Sequence, residues 1–260
     1  AVAWHNWGWK EKYPESVFTK DYKNLFHELL PKLCNSLDKS RLYWPSSPGY
    51  DLLLPKTGQE LNRGDVHYWG VWHGGDELSS FSENVGRFMS EFGMQSFPSP
   101  VTVDYFCPSN EQEINSDIIK SHQKASLGNA NIMKYILMYY NQPKDFSSFI
   151  MLSQIMAGEA IKVAVESHRM AMPYCMGSLY WQLNDCWPGA SWSSMDYFGN
   201  WKALHYYAKK FFSPLLICAD IQPDILNVYV VNDGESIKDS KILIELYDFK
   251  GTLTYEEIAI

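Results

Sequence analysis

Three long stretches of the chain repeat apolar residues every three or four positions, the spacing that gives an α-helix one apolar face. These stretches are residues 21–37, 118–140 and 146–170. Pro31 lies inside the first stretch and predicts a kink, because proline lacks the backbone donor that a helix interior needs. Asp145 precedes the third stretch and predicts its N-cap, because a carboxylate there accepts hydrogen bonds from the first turn. We expect a fourth helix at residues 201–212.

Short apolar runs of strand length lie between these helices and end in turns that contain glycine or proline. The predicted strands are residues 41–44, 65–75, 87–90 and 176–183. Alternation of strands with helices is typical of a (β/α) barrel, whose closed form has eight such units. The four units therefore predict half a barrel with an open parallel sheet. The polar stretch 99–117 is expected to be irregular.

The pattern changes after residue 217, where apolar and polar positions alternate as in a half-buried sheet. Strands are predicted at residues 225–231, 241–247 and 253–258, with turns at 232–234 and 250–251. Three strands are too few for a β-sandwich, which needs about seven. We therefore predict two domains, residues 1–214 and 215–260, both of them incomplete.

Composition and charge exclude several classes of function. Of the 260 residues 46% are apolar, enough to bury a core. The net charge of −8, without a basic block, argues against a nucleic-acid partner. No membrane partner is expected either, because no apolar run reaches the roughly 20 residues of a membrane span. The five cysteines are widely spaced and form no paired motif, so neither a metal site, a cofactor nor a disulfide framework is expected.

The compartment stays open. Residue 1 is not Met and no signal peptide follows it. If the source is bacterial, a periplasmic or secreted protein is expected.

Glu91 is the main candidate for chemistry. It follows the predicted strand 87–90 and precedes a Phe92-Gly93 turn. Catalytic groups of (β/α) barrels lie at the C-terminal ends of strands. An isolated acid in such a place would more often be an exposed loop residue, but the apolar residues on both sides of Glu91 favour burial.

A second cluster of candidates ends the predicted strand 65–75. It combines two histidines with three aromatic residues, which are His67, Tyr68, Trp69, Trp72 and His73. Polar and aromatic residues gathered where a strand meets a loop are more typical of a site than of a core. We expect His67, Trp69 and His73 to contact the substrate.

Two longer motifs carry a resemblance to a known family. Residues 90–98, Ser-Glu-Phe-Gly-Met-Gln-Ser-Phe-Pro, resemble the nucleophile motif of the β-mannosidases of glycoside hydrolase family two. Residues 177–188, continuing through 191–206, resemble a second signature of that family. The similar segments extend from Trp7 to about Leu216. The resemblance implies an α/β fold, with the C-terminal half of a (β/α)8 TIM barrel followed by the first strands of an immunoglobulin-like β-sandwich.

The resemblance also implies an activity and the residues that carry it. The activity would be that of a retaining, exo-acting β-mannosidase, which hydrolyses terminal non-reducing β-D-mannose residues through a covalent glycosyl-enzyme intermediate. Glu91 would be the nucleophile, and Trp7 and Trp181 would line the sugar subsite. Asn184 and Asp185 would bind hydroxyl groups. Core packing remains the alternative for Trp7, and helix capping or structural support for Asn184 and Asp185.

One position departs from the family pattern. His73 stands where the family can carry a tyrosine that contacts the nucleophile. A buried nucleophile stays ionised only with hydrogen bonds or a cationic neighbour. The partner of Glu91 is therefore open, with His73, Tyr68 and Arg87 as candidates.

The second catalytic group is expected to lie outside the chain. A retaining glycosidase needs another carboxyl group about 5–5.5 Å from the nucleophile, which acts first as acid and then as base. In the family this group belongs to an Asn-Glu motif that would lie upstream of Ala1. The expected partners are thus a mannoside or manno-oligosaccharide substrate and the N-terminal half of the same polypeptide. A β-galactosidase or β-glucuronidase of the same family, and a non-catalytic sugar-binding remnant, remain alternatives.

Overall fold

The structure, a computed structural model, describes residues 11–49 and 60–259. It mixes helices with strands and divides into two compact units, Ala1–Phe211 and Phe212–Ile260. The helices of the first unit are α1 (Glu15–Tyr22), α2 (Leu30–Leu37), α3 (Ser80–Glu83), α4 (Pro100–Phe106), α5 (Asp117–Ser121), α6 (Gly128–Tyr139), α7 (Phe146–Met170) and α8 (Ala203–Phe211). Short 3-10 turns lie at Glu60–Asn62 and Ser109–Glu111.

The helix predicted at residues 21–37 begins earlier than expected. It runs from Glu15 to Leu37 as α1, a π-helical stretch at Lys23–Leu29, and α2. Pro31 lies in the first turn of α2. The change of hydrogen-bond pattern thus falls immediately before the residue that cannot donate a backbone hydrogen bond.

The prediction for α7 is confirmed, including its cap. Oδ1 of Asp145 accepts from the backbone N of Ser148 at 2.7 Å, and Oγ of Ser148 accepts from the backbone N of Asp145 at 2.9 Å. By length and composition alone α7 could cross a membrane, so the expectation that no apolar run reaches that length is wrong. However, 56% of its apolar window is buried inside the protein, as expected of a helix in a core.

Two other helical predictions are wrong. Residues 118–140 are not one helix, because a turn at residues 122–127 separates α5 from α6. Residues 99–117 are not irregular, because α4 begins at Pro100. Oγ of Ser99 accepts from the backbone N of Thr102 at 3.4 Å, and proline suits the first turn of a helix. Turn and cap chemistry set these helix ends, which apolar periodicity does not reveal.

Extended segments of the first unit lie side by side and run parallel. β1 (Val66–His67) pairs with β2 (Met89–Glu91). Residues 176–181 continue the sheet on the other side of β2, where Leu179 N donates to Met89 O and Trp181 N to Phe92 O, both at 2.8 Å. Three of the four predicted strands are therefore present, with their carboxyl ends at one edge.

The strand predicted at residues 41–44 does not form. Residues 42–46 have no regular structure. Leu42 and Trp44 are 87% and 55% exposed, so no neighbour within the described ranges covers the apolar residues that suggested a strand. The sheet of the first unit accordingly has three extended segments in residues 11–49 and 60–259, not the four expected.

The second unit consists of two antiparallel hairpins. β3 (Leu215–Gln222) pairs with β4 (Ile225–Asn232), and β5 (Ile242–Tyr247) pairs with β6 (Leu253–Ala259). The last three strands match the predictions, whereas β3 was not predicted. Leu216 and Cys218 are buried while Leu215 and Ile217 are exposed, so both faces of β3 begin with apolar residues and the sequence shows no alternation.

Candidate active site

Glu91 lies at the C-terminal end of β2, at the edge where the parallel segments end. The register places His67 of β1 beside it. Val66 pairs with Met89 and His67 pairs with Glu91. Ser90 therefore has no partner on β1 and is the extra residue of a β-bulge. Trp69 follows the end of β1 by two residues, and its indole also reaches the Glu91 carboxylate. Both histidine and tryptophan are therefore directed to the side on which Glu91 lies.

Both oxygens of the Glu91 carboxylate have a neighbour. Nε1 of Trp69 donates a hydrogen bond to Oε1 at 2.8 Å. Nδ1 of His67 lies 3.6 Å from Oε2, beyond hydrogen-bond length. The carboxylate side chain is 25% exposed, so one oxygen is held while solvent reaches the group.

Asp65 stands behind His67, two residues earlier on the same strand face. Its Oδ2 accepts from Oγ of Ser47 and from Oγ of Ser90, both at 2.5 Å, and lies 3.6 Å from Nε2 of His67. Burial raises the pKa of Asp65, but the hydrogen bonds from Ser47 and Ser90 outweigh it and hold this pKa below its usual value. Asp65 is thus an ionised carboxylate that lies near Nε2 of His67, the ring nitrogen that is not beside Glu91.

The other expected partners of Glu91 are engaged elsewhere. The hydroxyl of Tyr68 donates to Oδ2 of Asp76 at 2.8 Å, and burial together with Asp76 raises the pKa of Tyr68 to about 12. The guanidinium of Arg87 lies over the ring of Tyr174, 5.2 Å from its centroid. In the structure the neighbours of the Glu91 carboxylate are therefore Trp69 and His67, and not Tyr68 or Arg87.

His73 lies beside Glu91 without a hydrogen bond to it in the described structure. Its ring centroid is 5.0 Å from that of Trp69 and 6.3 Å from that of Trp192. Desolvation by these neighbours lowers the pKa of His73, and the charge of Glu91 opposes this shift by raising it. His73 is therefore an exposed side chain that packs near Trp69 and Trp192 beside Glu91.

A glycine brings three tryptophans together next to Glu91. A Cβ at Gly93 would lie 2.4 Å from the backbone O of Trp181, and 3.1 Å from ring atoms of both Trp192 and Trp69. Trp69 and Trp192 meet edge to face with centroids 6.1 Å apart. Only a residue without a side chain allows this approach, so Gly93, two residues after Glu91, lets the rings of Trp69 and Trp192 lie against the backbone there.

The loop after β1 has an unusual backbone conformation. Trp72 has φ 83° and ψ −71°, which is rare for a bulky side chain. The residue is fully enclosed, and its backbone N donates to the hydroxyl of Tyr135 at 2.7 Å. Strain of this kind persists only where surrounding packing imposes it, and such positions cluster at functional sites.

Trp181 ends the third extended segment at the same edge as Glu91. Its indole is 45% exposed, and the peptide bond to Gln182 is cis. Beneath this segment, Nδ1 of His168 lies 2.8 Å from Oγ of Ser178, and the His168 ring meets Phe92 edge to face at 4.9 Å. Burial lowers the pKa of His168 to about 4, so this histidine of α7 is neutral.

Asp185 is used inside its own loop. Its Oδ2 accepts from Oγ of Ser193 at 2.6 Å and from Oγ of Ser191 at 2.9 Å. Nε2 of Gln182 donates to the backbone O of Asn184 at 2.9 Å. The contacts of Asp185 fit the alternative of structural support better than a free hydroxyl-binding carboxylate, while the hydrogen bond at Asn184 involves its backbone and leaves the role of its side chain a prediction.

A buried cation lies under the same loop. Lys202 is fully buried, and its Nζ donates to the backbone O of Ser96 at 3.2 Å and of Ser191 at 3.3 Å. Burial lowers the pKa of Lys202 to about 8, while Asp185 and Asp196 raise it. Burial would also raise the pKa of Asp196, but hydrogen bonds led by that from Thr102 hold it below the usual value. The ammonium joins the segment after Glu91 to the loop.

The chain is similar to known proteins over most of its length. No family model matches it. It is 32% identical to β-mannosidase B of Neosartorya fischeri over 218 residues, which are 81% of this chain and 25% of that protein. It is 31% identical to the β-mannosidase of Capra hircus over 261 residues, or 92% of this chain and 30% of that protein. The chain is homologous to the β-mannosidases.

Solved structures agree with this homology. The β-D-mannosidase of Dictyoglomus thermophilum matches 91% of this chain and 29% of its own at 34% identity, with a TM-score of 0.76. The exo-chitosanase of Amycolatopsis orientalis, 21% identical with a TM-score of 0.54, shares the fold over 68% of this chain and 22% of its own. The resemblance to β-mannosidases predicted from residues 90–98 and 177–188 is confirmed, and the chain spans about a quarter of the curated relatives it matches.

The family resemblance and the local motifs did not identify every residue near Glu91. Ser47, Asp65, Ser90 and Trp192 were not predicted to act near Glu91, although Asp65 shares the strand face of His67. Trp7, predicted to line the sugar subsite, lies outside the described residues. Within residues 11–49 and 60–259, no group of three or more His, Cys, Asp or Glu side chains is arranged to hold a metal ion.

Proposed function

We propose that this chain is the nucleophile-bearing part of a retaining, exo-acting β-mannosidase that releases terminal non-reducing β-D-mannose from β-mannosides or manno-oligosaccharides. One observation carries the proposal. In a homologue of β-mannosidases, the carboxylate of Glu91 lies at the carboxyl edge of parallel strands and is held there by Nε1 of Trp69. Trp181, Trp69 and His73 line the same edge and offer aromatic and polar contacts to a sugar.

In the proposed reaction an oxygen of Glu91 forms a bond to the anomeric carbon as the glycosidic C–O bond breaks. The leaving oxygen takes a proton from a general acid. The same group, now a base, removes a proton from water, which attacks the anomeric carbon and releases Glu91. Two inversions retain the configuration, and the hydrogen bond from Trp69 keeps Glu91 oriented through both steps.

The general acid is proposed to come from a segment outside residues 11–49 and 60–259. The carboxyl group described behind His67 is Asp65, whose hydrogen bonds hold its pKa below the usual value. A general acid requires a raised pKa, so Asp65 is unsuited to protonate a leaving group. The N-terminal half of the same polypeptide is the proposed source, since the chain spans about a quarter of its relatives.

The corresponding architecture is proposed as well. Residues 1–214 would form the C-terminal half of a (β/α)8 TIM barrel, and residues 215–260 the first strands of an immunoglobulin-like β-sandwich. Support comes from the parallel segments that share one carboxyl edge, the helices between them, and the antiparallel hairpins that follow Leu215.

Trapping with an aryl 2-deoxy-2-fluoro-β-mannoside tests the proposal in the full-length protein. The fluorine slows release of the covalent intermediate, so the labelled carboxylate can be located by mass spectrometry of peptides. We expect one label, on Glu91. A label on another carboxylate, or turnover of β-galactosides or β-glucuronides in preference to β-mannosides, would contradict the proposal.

A further inference from the structure

We propose that Ser47, Asp65 and Ser90, here called the Asp65 network, determine which nitrogen of His67 carries hydrogen and so leave Oε2 of Glu91 free to attack. These are positioning residues, which act on Glu91 through His67. The inference rests on the proposed role of Glu91 as nucleophile and adds the residues that control its reactive oxygen.

The network is built by the backbone from distant parts of the chain. The backbone N of Gly49 donates to the backbone O of Asp65 at 3.0 Å. A Cβ at Gly49 would lie 2.7 Å from Cα of Gly64 and 2.9 Å from the backbone N of Asp65, so the two segments touch through glycine. This contact brings Ser47 to Asp65. On the other side, the bulge in β2 directs Ser90 to the same carboxylate.

The hydrogens of the network can be assigned one by one. Oγ of Ser47 has one hydrogen and two neighbours, Oδ2 of Asp65 at 2.5 Å and Nε2 of His67 at 2.9 Å. The shorter contact is to an anionic acceptor, so the hydroxyl donates to Asp65. Its lone pair then accepts the hydrogen of Nε2 of His67. Oγ of Ser90 donates its own hydrogen to the same oxygen of Asp65.

The tautomer of His67 has a consequence for Glu91. When hydrogen lies on Nε2 alone, the ring presents the lone pair of Nδ1 to Oε2 of Glu91. Two acceptors do not attract, which agrees with their separation of 3.6 Å. Oε1 is held by Trp69 at 2.8 Å. One oxygen is therefore fixed by a donor, and the other keeps its electron pairs for the anomeric carbon.

Loss of the Asp65 charge would reverse this arrangement. In Asp65→Asn an amide N–H can donate to Oγ of Ser47, whose hydrogen then turns to Nε2 of His67. The ring hydrogen moves to Nδ1 and bonds to Oε2 of Glu91. A donor on the attacking oxygen lowers its nucleophilicity, with little effect on the binding of the sugar ring.

The test follows covalent labelling of the full-length protein by the 2-fluoro-mannoside over time. Labelling at several inactivator concentrations gives two quantities, the binding constant of the inactivator and the rate constant of bond formation. Asp65→Asn should lower the rate constant about 10- to 100-fold with the binding constant within about threefold. Ser47→Ala should lower it about tenfold and Ser47→Thr should restore it, because threonine retains the hydroxyl. Asp104→Asn on α4 is the matched control, because its carboxylate accepts a hydrogen bond from the side chain of Gln112 at 2.7 Å and not from a residue of the Asp65 network.

The outcomes separate the inference from the proposed function. Rate constants within about twofold of the wild type in both Asp65→Asn and Ser47→Ala would overturn the inference while the label stays on Glu91. The inference would also be overturned if both variants lost inactivator affinity, the rate constant of bond formation and melting temperature together, and if Ser47→Thr did not restore them. That result is expected of residues with a structural role alone. A label on another carboxylate in the wild type would overturn the proposed function and the inference together.

Discussion

Two regions of the first unit combine charged, hydroxyl and aromatic side chains, and they use them differently. One is the Glu91 region, the ends of β1 and β2 with His67, Trp69 and Glu91. The other is the 184–202 loop with Asp185, Asp196 and Lys202. In the Glu91 region a partly exposed carboxylate has one oxygen bonded, and among residues 11–49 and 60–259 the other oxygen has no donor within hydrogen-bond length. In the loop the charges are buried or bonded to serines, threonine and backbone.

This difference shows how a structural polar residue in a motif can be distinguished from a candidate catalytic residue. Glu91 belongs to the first motif that resembles the family, and Asp185, Asp196 and Lys202 belong to the second, so residue type does not separate the two regions. Bonded neighbours do, because a carboxylate oxygen that already accepts hydrogen bonds from two hydroxyls is stabilised as it stands, as Oδ2 of Asp185 is by Ser191 and Ser193. An oxygen that faces solvent without a donor remains available for chemistry.

The largest expected effect separates the two regions by activity. Glu91→Gln should lower kcat by several powers of ten, because an amide keeps shape but attacks poorly. Asp185→Asn is the matched control and should lower kcat/KM less than about tenfold, since its role is to hold serines of the loop. Initial rates on an aryl β-mannoside measure both. Equal losses of activity in the two variants would erase the distinction drawn here.

The next effect is on stability and belongs to the loop. Lys202→Met should lower the free energy of unfolding by about 3 kcal/mol, because it removes a buried cation from two carbonyl groups and two nearby carboxylates. The exposed Lys209→Met is the control and should change it by less than about 0.5 kcal/mol. Denaturant unfolding followed by tryptophan fluorescence gives both values.

The pKa of Lys202 adds a pH test of the same substitution. Its folded-state pKa is about 8 and its reference value 10.5, so between these values the unfolded chain binds more protons. The stability of the wild type should therefore increase as pH rises from about 8 towards 10.5, relative to Lys202→Met. A constant difference between the two proteins over this range would show that Lys202 does not titrate as a buried group.

A smaller effect tests the donor that holds Glu91. Trp69→Phe keeps the aromatic face but removes the N–H that bonds Oε1, and should lower kcat by about 30-fold, or about 2 kcal/mol. Trp201→Phe, at an exposed indole of the loop, should leave kcat within about threefold. If Trp69→Phe also retains normal turnover, the hydrogen bond at 2.8 Å is not needed to orient the Glu91 carboxylate.

The smallest effect concerns the support of the Trp181 segment. The pKa of His168 is about 4 in the folded protein, against an ordinary value of 6.5. Between these two pH values the unfolded chain therefore binds a proton that the folded protein does not. Stability should be fully present above pH 6.5 and fall by about 1–2 kcal/mol between pH 6.5 and 5. His168→Asn, which can still bond Ser178, should lose less over this interval. Melting temperatures at both pH values measure the change, and equal losses in the two proteins would contradict the prediction.

Local signals made much of the molecule predictable. The periodicity of residues 146–170 and the cap at Asp145 located α7, because helix formation depends on neighbours three and four residues apart. The motif at residues 90–98 located Glu91 at a strand end and indicated the β-mannosidase resemblance. By contrast, β3 was missed because both of its faces begin with apolar residues.

The sequence alone could not identify the residues that contact Glu91. Tyr68 and Arg87 were candidates by type, but β1 directs Trp69 and His67 to the carboxylate instead. Ser47 and Ser90 meet at Asp65 from positions 18 earlier and 25 later in the chain. Their meeting depends on a glycine contact and a bulge, which fix positions in space without leaving a periodic pattern in the sequence. Residue types thus determined which groups were available, and strand register decided which of them bear on Glu91.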